Sequence, residues 1–204
     1  MRHDGVRAQR PHDIDSLTDI AFRLFARRGF DATSMDEIAK AAAITKASIY
    51  HHVPGKEALL AHGLDRALAA LFAVLDDPAA REGAPRARLE AIVAHVAETT
   101  MRMLPEVSVL FRVRGNSKTE REAMERRRTF DAVITDLVRS AQREGTIRSD
   151  IDPALITRLV FGMSNSVVEW YRPSGRISGS EIAAAISRLV FEGVSEIDGF
   201  AAER

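Results

Sequence analysis

Apolar residues recur every three to four positions along most of this chain, which is the spacing of amphipathic helices. In the first such segment the apolar positions share one face, and Gly29 follows it as a natural helix end. No stretch shows the period-two alternation of a strand. The pattern therefore predicts an all-α fold of about nine helices, at about residues 14–28, 34–42, 46–52, 56–77, 86–103, 105–111, 118–143, 153–170 and 178–194.

The second and third predicted helices are short and are separated by a tight turn. Ser34 and Glu37 have the spacing of a capping box, and Thr45 can cap the next helix. That next helix has little to bury except Ile49, so packing stabilises it weakly and we expect its polar face to contact a partner. A helix of two turns fits the major groove of B-DNA, which is ~12 Å wide. The pattern predicts a helix-turn-helix unit whose second helix reads DNA.

The run from Thr33 to Leu60 resembles the DNA-binding domain of the TetR family of bacterial transcriptional repressors. Two positions depart from the usual pattern of that family: Ala43 stands where the turn usually has glycine, and Gly55 stands where serine or asparagine usually caps the next helix. A left-handed backbone at Ala43 would cost on the order of 1 kcal/mol. The matching positions are Thr33, Ile38-Ala39, Ala42-Ala43-Ile44, Tyr50-His51-His52-Val53 and Lys56-Glu57-Ala58-Leu59.

The resemblance implies a three-part chain: a flexible basic arm at residues 1–12, a helix-turn-helix DNA-binding domain at residues 13–55, and an effector-binding and dimerisation domain at residues 56–204. In this family the last two long helices pair in a homodimer, which presents two recognition helices to a palindromic operator.

In the arm, Arg7 and Arg10 either reach the DNA or belong to a loose terminus. Within the helix-turn-helix unit, we expect Thr33, Tyr50 and Lys56 at DNA phosphates, and His52 facing the core. The full set of expected DNA-binding residues is Thr33, Ser34, Thr45, Lys46, Ala47, Ser48, Tyr50, His51 and Lys56.

The C-terminal half is similar to TetR-family regulators of fatty-acid and steroid catabolism that respond to acyl-CoA thioesters, at Asp150-Ile151-Asp152-Pro153 and Trp170-Tyr171-Arg172-Pro173. That resemblance implies a hydrophobic effector bound in an apolar cavity with a basic mouth. Met and aromatic side chains are adaptable cavity walls, although the same residues can simply form the core. The candidate ligand-binding residues are Met101, Met103, Leu104, Phe111, Phe130, Phe161, Met163, Trp170 and Arg172.

The helix predicted at residues 56–77 joins the two parts and, at ~20 residues, spans about 30 Å. We therefore expect a two-state repressor in which an effector changes the tilt of this helix and weakens operator binding. Two alternatives stay open. One is a regulator of drug efflux that senses a lipophilic drug, and the other is an architectural DNA-binding protein without an effector.

The composition of the chain adds few constraints. Lys and Arg total 29 and Asp and Glu total 29 among 204 residues, so the net charge is zero and does not indicate a DNA partner. The sequence lacks cysteine and any recognisable signal peptide, so we expect a cytoplasmic protein without disulfides or a membrane partner. It also lacks a glycine-rich phosphate loop, a cysteine nucleophile and a histidine pair at metal-ligand spacing, so we expect no enzyme, no metal site and no cofactor.

Overall fold

The computed structural model describes residues 13–193, and every regular element in this range is a helix. The all-α prediction is therefore confirmed. The predicted arm at residues 1–12, with Arg7 and Arg10, lies outside the described residues, as does the chain beyond residue 193. The elements are α1 (Ile14–Arg28), α2 (Met35–Ala41), α3 (Lys46–His52), α4 (Lys56–Ala73), a 3-10 turn (Val74–Asp76), α5 (Pro78–Arg81), α6 (Pro85–Arg102), α7 (Leu104–Arg112), α8 (Lys118–Arg143), α9 (Pro153–Trp170) and α10 (Gly179–Phe191).

One helical turn, α5, forms between the helices predicted at residues 56–77 and 86–103. Asp77 caps it by accepting a hydrogen bond from the backbone N–H of Ala79 at 2.8 Å. Pro78 occupies the first helical position, where the missing N–H and the fixed φ of proline are tolerated. With this turn, residues 13–193 contain ten α-helices rather than nine.

The first three helices form one small unit with a common core. The predicted capping box opens α2: the N–H of Glu37 donates to Ser34 Oγ at 3.2 Å, and the N–H of Ser34 donates to Glu37 Oε2 at 2.9 Å. Thr45 caps α3 by accepting from the N–H of Ser48 at 3.1 Å. The long apolar side chains that face inward are almost fully buried, and they are Leu17, Phe22, Phe25, Ile38, Ile49 and Val53.

The long helix α4 leads from this unit into the rest of the molecule and packs against α1, α7 and α8. It packs tightly against α1 at Gly63, where an added Cβ would lie 2.1 Å from the ring of Phe22. By length and hydropathy alone, the segment Lys56–Asp76 would suffice to cross a membrane. Its leucines are instead packed among the neighbouring helices, as in the core helix of a folded domain, and the most buried are Leu59, Leu60, Leu64 and Leu68.

In the second part of the molecule, α6 contacts α8, α9 and α10. One apolar core extends from α1 through α4 to α8 and α9, and a smaller core lies between α6, α9 and α10. At the end of the larger core, the ring of Phe130 packs against Phe72 and Phe161 with centroid separations of 5.6 and 5.7 Å. This arrangement connects the N-terminal unit with the centre of the second part through continuous packing.

Candidate DNA-binding surface and effector cavity

The third helix presents most of its side chains to solvent. Ile49 is fully buried, and Val53, one turn later, is 1% exposed. His52 is exposed, which corrects the expectation that it faces the core, because Ile49 and Val53 occupy the inner side of the helix. The other exposed positions are Thr45, Lys46, Ala47, Tyr50 and His51, and Ser48 is half-buried.

Lys46 joins α3 to α2 through an ion pair, and Ser34 is exposed at the start of α2. Lys46 Nζ donates to Asp36 Oδ2 at 2.9 Å, and this hydrogen bond and the charge of Asp36 raise the pKa of Lys46. Exposed ion pairs contribute little to stability, so the ammonium can exchange Asp36 for a DNA phosphate at little cost. Ser34 is exposed at the start of α2, and its hydroxyl is 3.0 Å from Glu37 Oε2 within the capping box.

Thr33 and Lys56, both expected at DNA phosphates, are instead engaged inside the protein. Thr33 is 1% exposed, and its hydroxyl donates to the carbonyl oxygen of Gly29 at 2.8 Å. Lys56 Nζ donates to the carbonyl oxygens of Phe30, Asp31 and Thr33 at 2.8, 3.3 and 2.9 Å, and it lies 4.4 Å from the ring centroid of Phe30. An ammonium has three protons, so these bonds use all of them. These side chains stabilise the connection between α1 and α2, which argues against the predicted phosphate contacts.

The turn between α2 and α3 contains one residue in an unfavourable backbone conformation. Ala43 has a φ of 56°, and within residues 13–193 it is the one non-glycine residue with a positive φ. The left-handed region is reached at low cost only by glycine, and to some extent by Asn and Asp. The strain of about 1 kcal/mol expected for a left-handed Ala43 is therefore present in this turn.

A cavity of about 850 Å³ lies between α4, α6, α7, α8 and α9. Its volume is within the range of small-molecule sites, roughly 300–1,000 Å³. The inner wall is mostly apolar and is formed by Leu71, Val96, Thr100, Phe111, Phe130 and Phe161.

The outer part of the cavity, between α8 and α9, is rich in arginine. Four arginines and two aspartates line it, which leaves an excess of two positive charges: Arg127, Arg128, Arg139 and Arg158 against Asp131 and Asp136. Burial raises the pKa of Asp131, and the charges of Arg127 and Arg158 offset this rise only in part. The mouth is thus suited to an anionic group.

Three of the candidate ligand-binding residues, Phe111, Phe130 and Phe161, line this cavity, and the others do not. Met101 is buried in the smaller core, and Met103 and Leu104 lie at the junction of α6 and α7. The remaining three, Met163, Trp170 and Arg172, are exposed on the outside of the molecule.

The cavity residues that the sequence reasoning missed follow helical spacing on two facing helices. Asp131 and Thr135 line the cavity from α8, and Arg158 and Asn165 line it from α9. Met163 is one position from the lining residue Gly162, and one position rotates a side chain by ~100° around the helix. The helical spacing was visible in the sequence, but it does not tell which polar face turns towards an internal space.

The α9 helix also carries a row of exposed apolar side chains. Leu155, Leu159 and Met163 recur every four residues and are 46%, 60% and 37% exposed. Trp170 at the end of α9 and Leu189 on α10 are 51% and 43% exposed. We call these five residues the apolar stripe. Exposed apolar patches of this kind commonly mark protein interaction sites.

The exposed recognition helix and the three-helix unit define a helix-turn-helix regulator, and comparison with known proteins agrees. Residues 17–62 match the family described as bacterial regulatory proteins, tetR family, and residues 82–194 match the tetracyclin repressor-like C-terminal domain. The chain belongs to the TetR family of transcriptional regulators. Members of this family bind operator DNA and are not enzymes.

Three individual proteins illustrate the similarity. The transcriptional repressor KstR2 of Rhodococcus jostii (strain RHA1) is 31% identical over 182 residues, which cover 88% of this chain and 89% of that protein. The crystal structure of SCO3833, a TetR-family member from Streptomyces coelicolor A3, is 48% identical with a TM-score of 0.84, covering 93% of this chain and 94% of that one. The structure of AibR in complex with isovaleryl coenzyme A and operator DNA is 26% identical with a TM-score of 0.76, covering 87% and 97%.

Proposed function

We propose that this TetR-family repressor acts in the cytoplasm as a homodimer on a palindromic operator and is released by a hydrophobic effector, an acyl-CoA thioester. The observation that carries the proposal is the cavity of about 850 Å³, with its apolar wall and arginine-rich mouth, placed against the helix that leads to the DNA-binding unit. We divide the chain accordingly, with DNA binding at residues 13–55 and effector binding and dimerisation from residue 56 onward.

The proposed DNA contacts come from the exposed face of α3 and the start of α2. The short helix has one fully buried side chain, Ile49, so its polar face is free to enter the major groove. Lys46 brings a positive charge to this face. We assign DNA contact to Ser34, Thr45, Lys46, Ala47, Ser48, Tyr50 and His51, and we exclude the side chains of Thr33 and Lys56.

The proposed dimer forms through the apolar stripe on α9 and α10. A helix-turn-helix dimer reads two half-sites about 34–36 Å apart, so its two recognition helices must be related by two-fold symmetry. The stripe is exposed in the single chain, and α9 and α10 are the last two long helices, which pair in this family.

An acyl-CoA fits both ends of the cavity. The acyl group is apolar and suits the phenylalanine-rich inner wall, whereas the phosphates of coenzyme A are anionic and suit the four arginines at the mouth. AibR, which shares the fold, has a crystal structure in complex with isovaleryl coenzyme A and operator DNA. This likeness and the chemistry of the cavity support the same ligand class here.

The effector signal would reach the DNA-binding unit through α4 and α7. Leu71 of α4 and Phe111 of α7 both line the cavity, and both helices pack against α1. Arg66 on α4 ties these helices together, since its guanidinium is 2.8 Å from Asp19 Oδ1 of α1 and 3.6 Å from Glu106 Oε1 of α7. A ligand that favours another tilt of α4 would therefore reorient α1 and change the spacing of the two recognition helices.

The test selects the operator from a randomised duplex pool and then measures its affinity with candidate effectors. We expect enrichment of a palindrome with half-sites 10–10.5 base pairs apart. We also expect at least one member of a panel of acyl-CoA thioesters, with saturated and oxygenated acyl groups, to weaken operator binding at least tenfold, whereas the free acids do not. Absence of any enriched sequence would favour an architectural DNA-binding protein, and release only by a lipophilic drug would favour a regulator of drug efflux.

Two arginine variants, one on α9 and one on α8, separate effector binding from folding. Arg158→Gln removes a mouth charge, and we expect it to weaken release by acyl-CoA while operator affinity without effector is unchanged. Arg143→Gln is the matched control, because Arg143 is exposed near the end of α8 and does not line the cavity. Equal release in both variants would contradict an anionic effector group at this mouth.

A further inference from the structure

Thr100 on α6 is unusual among the residues that line the cavity. Its side chain is 1% exposed, and its Oγ1 is the one buried side-chain polar atom without a hydrogen-bond partner in the described range 13–193. It lines the cavity with its helical neighbour Val96, and both are buried.

Other threonines of this chain show how a helical hydroxyl is normally satisfied. Thr135 and Thr157 also line the cavity, and each donates to the carbonyl oxygen four residues earlier, at 2.8 and 3.0 Å. Their hydroxyl oxygens are in addition 3.1 Å apart. Thr18 makes the same kind of bond to Ile14 at 2.7 Å. Because Thr100 makes none of these bonds, its hydroxyl keeps a donor and an acceptor capacity that no described residue uses.

A buried hydroxyl without a partner is unfavourable, and buried polar groups nearly always have a partner in folded proteins. A saturated acyl chain in the cavity would leave this hydroxyl unpaired, whereas an oxygen on the buried part of the ligand would satisfy it. Discrimination of this kind is strong when a site is built to hydrogen-bond a group that a competitor lacks.

We propose that Thr100 binds an oxo or hydroxyl oxygen on the apolar part of the effector, so that the effector is an oxygenated acyl or ring compound rather than a plain saturated one. The proposal rests on the function proposed for the cavity and deepens it. The oxygen at Thr100 is distinct from the anionic end, which lies at the arginine-rich mouth.

The test compares two small probes of the same shape on the full-length protein. Acetophenone carries a ketone oxygen where cumene carries a methyl group, and ligand-detected NMR measures the affinity of each. We expect the ratio of acetophenone to cumene affinity to fall about tenfold on going from the wild type to Thr100→Val, because only the wild type offers the hydrogen bond.

Two further variants make the result specific. Thr100→Ser keeps the hydroxyl and is expected to keep the ratio. Thr99→Val is the matched control, since Thr99 is also buried but its hydroxyl accepts from Arg102 at 3.1 Å and it does not line the cavity. Its ratio should equal that of the wild type.

An equal ratio in wild type and Thr100→Val would overturn the proposal, and so would failure of both probes to bind the wild type. Thermal unfolding provides a second check: Thr100→Val should unfold at the same temperature as the wild type or a higher one, because it loses no internal hydrogen bond. A lower midpoint than that of Thr99→Val would show that the hydroxyl is already paired. None of these measurements involves DNA, so their failure is distinguishable from failure of the proposed repressor function.

Discussion

Ala43 holds the turn between α2 and α3 in a conformation that suits glycine better. Its φ of 56° lies in the left-handed region, where an L side chain costs roughly 1–2 kcal/mol. Glycine removes that cost but adds unfolded-state entropy, so we expect Ala43→Gly to raise the free energy of unfolding by about 0.5–1 kcal/mol. Urea unfolding monitored by circular dichroism measures the change. A lower stability would show that the turn is not left-handed in solution.

Lys56 and Lys46 carry the same charge but have different surroundings. Lys56 bonds to three backbone carbonyls, so Lys56→Met should lower the stability by about 1–3 kcal/mol without changing how operator affinity depends on salt. Lys46→Met is the comparison: it removes an exposed charge from α3 and should leave stability nearly unchanged.

Operator titrations at several salt concentrations separate these two roles. Each phosphate contact contributes about 0.9 to the slope of log affinity against log salt concentration. We expect that reduction for Lys46→Met and no reduction for Lys56→Met. A shallower slope for Lys56→Met would indicate that Lys56 contacts a phosphate, contrary to what its internal hydrogen bonds suggest.

Single residues were predictable from sequence where their partners are local. The capping box of Ser34 with Glu37 and the cap at Thr45 both depend on atoms three residues away, so spacing was sufficient. Lys56 depends on carbonyl oxygens more than 20 residues earlier in the chain, at Phe30, Asp31 and Thr33. Only the packing of α4 against α1 brings them together, and no local pattern shows that.

At the scale of elements, the contact of α1 with α4 depends on a glycine. A Cβ at position 63 would lie 2.1 Å from the ring of Phe22, and this ring is fully buried and packs against Phe25 with a centroid distance of 5.5 Å. Because the ring cannot turn away freely, Gly63→Ala should destabilise the protein by about 1–3 kcal/mol. Thermal unfolding gives the measurement. The same substitution in a Phe22→Leu background should cost less, and an equal cost in both backgrounds would contradict a clash at this ring.

The connection between α7 and α8 is organised by one carboxylate. Glu120 Oε2 accepts from the backbone N–H groups of Arg114, Gly115 and Asn116 at 2.9, 2.8 and 3.0 Å. Burial alone would raise the pKa of Glu120, but these three donors outweigh it and the pKa is lowered. The charged form is therefore favoured in the folded state.

This lowered pKa has a consequence for the pH dependence of stability. The contribution of the Glu120 carboxylate is fully present above its ordinary pKa of 4.5 and is lost as the pH falls through the lower folded-state value. At pH 7 we expect Glu120→Gln to lose about 1–3 kcal/mol in urea unfolding, and the difference from the wild type to shrink in acid. Glu122→Gln, at an exposed neighbour that pairs with Lys118, should change little at either pH.

Helices longer than two turns were predictable because their apolar spacing is repeated several times. The predicted starts and ends of α1, α8 and α9 coincide with the observed ones. The single turn α5 has too few residues to show a period, and it was missed. Spacing also could not specify which helices meet, since that depends on contacts distant in sequence.

At the scale of the whole molecule, an apolar cavity was expected but most of its wall was not. Phe111, Phe130 and Phe161 were identified because large aromatic residues stand out in any helix. Thr100 and Asp131 are ordinary polar residues in sequence, and only the arrangement of five helices encloses them. The types of residue in a site can thus be predicted from sequence, whereas which of them line the same cavity depends on the assembled fold.

At the same scale, the proposed dimer leads to a prediction about assembly and operator binding. Leu159 is the most exposed residue of the apolar stripe, at 60%, and it lies between Leu155 and Met163 on the same helix face. A charge at its position would be desolvated without a partner in any dimer formed there, which is strongly unfavourable. We expect Leu159→Arg to be a folded monomer by analytical ultracentrifugation and circular dichroism.

The monomer should also lose most of its operator affinity. A dimer engages its second half-site at a high effective concentration, and a monomer loses this gain, which is on the order of 10²-fold or more. Val133→Arg is the matched control, because Val133 is an apolar residue of α8 that is 45% exposed and lies outside the stripe. We expect Val133→Arg to remain dimeric and to bind the operator like the wild type. If Leu159→Arg stays dimeric while Val133→Arg dissociates, α8 rather than the stripe forms the interface.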